Sequence, residues 1–110
     1  MLTQKDIVAI NSALDSGQIV NQGSLDYALS VTYRNKNWLR CAAVLTRAIL
    51  IDHVFEDGNK RTVAAIIMAY FEMNSIGYCP DKINKLIVLM LKKNIVDIKK
   101  IERLISNARE

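Results

Sequence analysis

The chain has 110 residues, of which 51% are hydrophobic, with a formal charge of +4. That length suits a single domain, residues 1–110, and excludes two, while one Pro and four Gly exclude a turn-rich all-β fold and a disordered tail. Two cysteines without CxxC spacing and one histidine exclude a Cys/His zinc set, so Cys41 and Cys79 read as buried thiols in a reducing compartment.

Thr3 is suited to cap a first helix, with Asp6 at its third position favoured by the helix dipole. Ile7, Val8, Ile10 and Leu14 form its apolar side, and Ser16-Gly17 ends it. Residues 18–36 have a different texture. Gln18 to Gly23 reads as a short extended piece with a turn at Asn21 to Gly23, Leu25 to Leu29 as one helical turn, and Val31 to Tyr33 as extended again. This stretch is expected to be the least helical and most mobile part of the chain.

Asn37 can cap a long helix carrying Trp38, Cys41, Ala42, Leu45, Ala48 and Ile49 at i+3/i+4 spacing. The pattern breaks at Asp52-His53, and Val54 to Asn59 must be a loop. The next helix runs from about Asn59 or Lys60 to Asn74. Apolar on nearly all sides between Val63 and Phe71, it is expected to be the central buried helix. Ser75 to Gly77 ends it. Pro80-Asp81 opens a fourth long helix, which Asn94 closes, and Asp97 opens a final amphipathic one. The expected fold is all-α, a compact helical bundle with an irregular excursion at 18–36.

The basic residues of the C-terminal half fall between apolar ones at helical spacing, as on solvated faces, with an acidic protein partner as the other reading. No direct nucleic-acid contact is expected. The opening residues are amphipathic and lack a signal-peptide apolar region. The longest apolar runs, Val63 to Phe71 and Leu86 to Leu91, fall well short of the roughly 18 residues of a membrane span. A cytoplasmic protein without membrane contact is expected.

Chemistry concentrates in His53 to Thr62. The first N–H groups of a helix lack internal partners and lie at its positive end, where a phosphate is the natural guest. Gly58 lets the backbone come close to an anion. Lys60 and Arg61 repel the dipole in that first turn, which points to a bound polyanion rather than to helix stability. Asp57 is a hard oxygen donor suited to Mg²⁺ shared with phosphate oxygens. His53 can accept a proton near neutral pH. Phe55 is expected to point inward and anchor the loop. Together these are the parts that phosphoryl or nucleotidyl transfer needs.

His53-x-Phe55-x-Asp57-Gly58-Asn59-Lys60-Arg61 resembles the signature of the Fic/Doc superfamily, and Gly23-x-Leu25-Asp26-x-Ala28-Leu29 resembles the Doc-type segment ahead of the target-binding flap. The likeness extends along nearly the whole chain. It implies a Fic/Doc-type bundle with His53 as catalytic base and Asp57 on Mg²⁺. Gly58, Asn59 and the following amides through Thr62 would hold phosphate, with Lys60 and Arg61 on the nucleotide. Residues 18–33, and Ile19, Val20, Asn21, Gln22 and Gly23 in particular, would form a flap, with room for a small β-hairpin, that clamps an extended target segment by strand addition.

Lys60 stands where AMP-transferring Fic proteins have Gly, and Ala64 where they have a second Arg. Both departures match the Doc branch. The resemblance therefore implies a toxin that transfers phosphate from ATP or another nucleoside triphosphate to a protein hydroxyl, on elongation factor Tu in that branch, restrained by a Phd-type antitoxin. The alternatives are AMP transfer to a protein hydroxyl and a catalytically silent binding module of the same fold. Ser106 to Glu110 supplies only the first part of the inhibitory pattern of Fic proteins.

Overall fold

Among the described residues, four of the six helices begin on a side chain that accepts their first free N–H groups: Thr3, Asn21, Asn37 and Asp97. At Thr3 the cap is reciprocal. The Asp6 N–H donates to Thr3 Oγ1 at 3.2 Å, and the Thr3 N–H donates to Asp6 Oδ2 at 2.9 Å. Those Thr3 bonds hold the Asp6 carboxyl below its ordinary pKa. Pro80 at the first position of its helix needs no partner for an absent N–H.

The computed structural model describes residues 2–110. Its helices are α1 (Gln4–Leu14), α2 (Gln22–Arg34), α3 (Trp38–Leu50), α4 (Asn59–Met73), α5 (Pro80–Lys93) and α6 (Ile98–Ser106). Among the described residues there is no sheet, only two isolated antiparallel bridges, Ile19 with Phe55 and Tyr78 with Arg109. The fold is all-α. The Cα radius of gyration is 12.5 Å, close to the roughly 13 Å of a folded chain of this size. No helix of the described residues is long and apolar enough to cross a membrane.

Two expectations need correction. Residues 18–33 do not form a hairpin or an irregular flap. Only 18–21 lie outside a helix, with one bridge at Ile19; Gln22 and Gly23 already belong to α2, as do Val31 to Tyr33. The helix forms because it buries Leu25, Ala28, Leu29 and Thr32 against α3. That burial outweighs the weak helix propensity of Gly23, Ser24, Ser30 and Thr32.

The central helix is α3 rather than α4. Cys41 through Thr46 are buried without interruption, so α3 is covered on every side, by α2, α4 and α6. Ala42, Ala43 and Ala48 let those neighbours approach closely. In α4 the residues Ala64, Ala65, Met68 and Ala69 remain half-buried. Helix α1 packs on α4, so its C-terminal end meets the start of α4 and the loop before it. The segment after α6 is tied back to the start of α5: Cys79 N–H donates to Ala108 O at 2.8 Å and Glu110 N–H to Gly77 O at 3.2 Å. Cys41 is a buried free thiol, while Cys79 is only half-buried.

Tyr70 is buried, and its ring stacks on Trp38 at 6.5 Å between centroids. Its hydroxyl has no hydrogen-bond partner among the described residues, and burial pushes the phenol far above its ordinary pKa. Tyr70→Phe keeps the ring and removes the orphan group. The expected outcome in urea unfolding is a stability unchanged or higher by about 1 kcal/mol. A clear loss would mean that the hydroxyl bonds a buried water.

Candidate active site

The site is built where α3 stops. After Leu50 the chain turns through Ile51 and Asp52 and reaches His53 at φ 56°, a left-handed conformation that a non-glycine residue adopts only when its surroundings enforce it. The enforcement is visible on both sides. Val54 and Phe55 are fully buried. The strap 18–21 lies beside them, antiparallel at the Ile19–Phe55 bridge: Val20 N–H donates to Val54 O at 2.8 Å, Asn21 N–H to the same oxygen at 3.2 Å, and Glu56 N–H to Gln18 O at 3.0 Å. The Asn21 side chain reaches Asp52 O at 2.8 Å.

Asn59 closes the loop from within. Its Oδ1 accepts the Phe55 N–H at 3.0 Å, its Nδ2 donates to Phe55 O at 2.9 Å, and the same Nδ2 lies 3.1 Å from His53 Nδ1. The side chain is thus committed to the loop, leaving only the backbone N–H of Asn59 for an external anion. Gly58, at φ 75°, is the N-cap of α4 and provides no side-chain acceptor, so no side chain caps the first N–H groups of α4, whose residues line the pocket.

Asn11, fully buried on α1, spans the remaining gap. Its Nδ2 donates to Asp57 O and to Thr62 Oγ1, each at 2.9 Å, and its Oδ1 accepts the Gly17 N–H at 2.9 Å. This relocates Thr62, expected among the phosphate-binding residues. Thr62 is fully buried and its hydroxyl serves Asn11, outside the pocket. Asp15, the C-cap of α1, lies against Gly58 so closely that a Cβ there would overlap its carboxylate. Arg61 Nη2 contacts both Asp15 oxygens, at 3.0 and 2.9 Å.

His53, Glu56, Asp57, Gly58, Asn59, Lys60 and Arg61 line one cavity of about 410 Å³, walled on its apolar side by Leu50 and Leu91. That volume falls in the range of small-molecule sites. Arg61 is neutralised by Asp15, so Lys60 is the lining cation outside an ion pair among the described residues. The carboxylates of Glu56 and Asp57 are exposed and take part in no ion pair there either. No group of three His, Cys, Asp or Glu side chains gathers among the described residues. An ion at Asp57 would therefore share its shell with ligand oxygens and water, as Mg²⁺ commonly does.

Of the flap residues, Ile19, Val20 and Asn21 belong to the strap, and the N–H groups of Val20 and Asn21 already point at the loop. Gln22 and Gly23 lie in the first turn of α2. Ser106 to Glu110 is anchored at the start of α5, whereas Leu91, near its other end, faces the cavity. Asn11 and Asp15 were not singled out from the sequence. Asn11 had a readable signal, a polar residue four positions after Ile7 on an apolar helix stripe; Asp15 had none. No family model matches the chain, and no curated protein and no solved structure matches it.

Asn11→Ala leaves a buried hydroxyl, a carbonyl and an N–H with one partner fewer each. The expected cost in chemical denaturation is about 2–4 kcal/mol, at the high end for a single substitution.

Proposed function

We propose that the chain is a Fic/Doc-type transferase that moves the γ-phosphate of a nucleoside triphosphate onto a hydroxyl of a protein. The observation that carries this reading is the meeting, in one cavity, of an uncapped helix N-terminus, Lys60, two free carboxylates and the only histidine of the chain. A helix start with open N–H groups and a neighbouring cation favours phosphate. Asp57, with Glu56 beside it, offers the hard oxygen donors that fit Mg²⁺, and bound Mg²⁺ supplies charge neutralisation on the phosphate oxygens.

In the reaction, the target hydroxyl oxygen forms a bond to the γ-phosphorus, the bond from that phosphorus to the nucleoside diphosphate breaks, and His53 takes the hydroxyl proton. Lys60 and the open amides of α4 hold the phosphates. The pairing of Arg61 with Asp15, together with Ala64 one turn further on, leaves little cationic grip for a second arrangement of the triphosphate. This favours phosphate over AMP transfer. Elongation factor Tu is the first target to test, and a Phd-type antitoxin the expected restraint; both rest on the motif resemblance.

The deciding experiment incubates the protein with Mg·ATP and purified elongation factor Tu, then with cell lysate, and reads intact masses against a His53→Ala control. A phosphate-sized addition that needs His53 is expected. An AMP-sized addition would replace the kinase reading with nucleotidyl transfer. No His53-dependent change on any protein would favour a silent binding module.

Asp15 places a negative charge beside the proposed phosphate seat. Asp15→Asn is expected to tighten Mg·ATP binding roughly fivefold in isothermal titration, the equivalent of about 1 kcal/mol of removed repulsion. Stability should change by no more than about 1 kcal/mol, since Arg61 is largely exposed.

A further inference from the structure

The hydrogen bonds of Asn59 decide where the proton sits on His53. An asparagine amide can be turned end for end without changing its shape, but here the Phe55 backbone forbids the turn. The Phe55 N–H requires an acceptor, met by Oδ1 at 3.0 Å, and the Phe55 carbonyl requires a donor, met by Nδ2 at 2.9 Å. Nδ2 carries two hydrogens. One goes to the Phe55 carbonyl, and the other is directed to His53 Nδ1 at 3.1 Å. An N–H pointed at Nδ1 needs a lone pair there. The neutral imidazole must then carry its hydrogen on Nε2.

The geometry points to Asn59 as a positioning residue that fixes the Nε2–H tautomer of His53 in the resting chain. The ring therefore offers the cavity a donor, and its one lone pair is occupied by Asn59. The consequence for catalysis rests on the transfer reading above. A base that accepts a hydroxyl proton at Nε2 must have that nitrogen free. His53 becomes such a base only after the ring leaves the Asn59 N–H, picks up a hydrogen at Nδ1 from water and loses the one at Nε2 to water. The resting site is latent, and the latency resides in a single side-chain contact rather than in a separate inhibitory segment.

Because His53 is the only histidine, one ring gives all imidazole signals in a ¹⁵N spectrum of histidine-labelled protein. The measurement uses the full chain without nucleotide or target, at a pH where the ring is neutral. The expected wild-type spectrum has the proton on Nε2 and a bare Nδ1. In Asn59→Asp the carboxylate can still accept from the Phe55 N–H, but faces Nδ1 with an acceptor, so the hydrogen is expected to move to Nδ1. A wild-type ring protonated at Nδ1 overturns the proposal, as does a folded Asn59→Asp protein that keeps its hydrogen on Nε2. If that variant does not fold, Asn59→Ala takes its place, with loss of the single-tautomer spectrum expected and an unchanged one overturning the proposal. Failure of the transfer assay leaves this result untouched, so the two readings fail separately.

Discussion

The start of α4 and the loop before it are tied to α1 through the buried amide of Asn11. Its hydrogen bonds reach the loop carbonyl of Asp57, the hydroxyl of Thr62 in the first turn of α4 and the N–H of Gly17 after α1. An amide so placed is expensive to bury unless satisfied, and here both of its ends are bonded, to three separate chain segments. The result is a rigid junction of three chain segments. Asp15, one turn beyond Asn11, thereby comes to rest on Gly58 and Arg61.

The junction divides the site into two layers. The inner one is made of neutral groups whose hydrogen bonds close on one another: Asn11 with Thr62, Asn59 with Phe55, the strap 18–21 with Val54 and Glu56. The outer one is charged and exposed: Glu56, Asp57, Lys60 and Arg61. His53 belongs to both, since its backbone is held in a left-handed turn while one edge of its ring touches Asn59. The exposed charged groups therefore stand on a frame whose hydrogen bonds close on one another.

Much of the fold was legible because the signals were local. Thr3, Asn37 and Asp97 announce helix starts through contacts two or three residues away and Pro80 through its fixed backbone, and the structure uses each of them so. Helix α2 was misread because its own residues barely favour a helix, and the burial that stabilises it depends on α3, which a local window does not contain. The choice of central helix failed similarly: hydrophobicity marked α4, but small residues let α3 be surrounded. Of the residues that line the cavity, His53 and Asp57 to Arg61 were singled out because they are nearly contiguous, whereas Glu56 was not. Thr62 was misplaced, although its helical phase with Asn59, Ile66 and Tyr70 places it on the core side. The Asp15 contact joins residues 46 apart and has no sequence signature.

Those separations also divide the contacts into local and long-range ones. The bonds of Asn59 to Phe55 and His53 span four and six residues, so they can form as soon as α3 and α4 meet across a short loop. The bonds of Asn11 span 46 and 51 residues and require the whole first third of the chain to dock. Closing that larger loop carries the greater entropic cost and waits for the hydrophobic contacts that repay it. The contacts that hold the imidazole are thus local in the chain, while those that hold the turn at Gly58 are long-range. A molecule whose α1 has frayed would keep the first and lose the second.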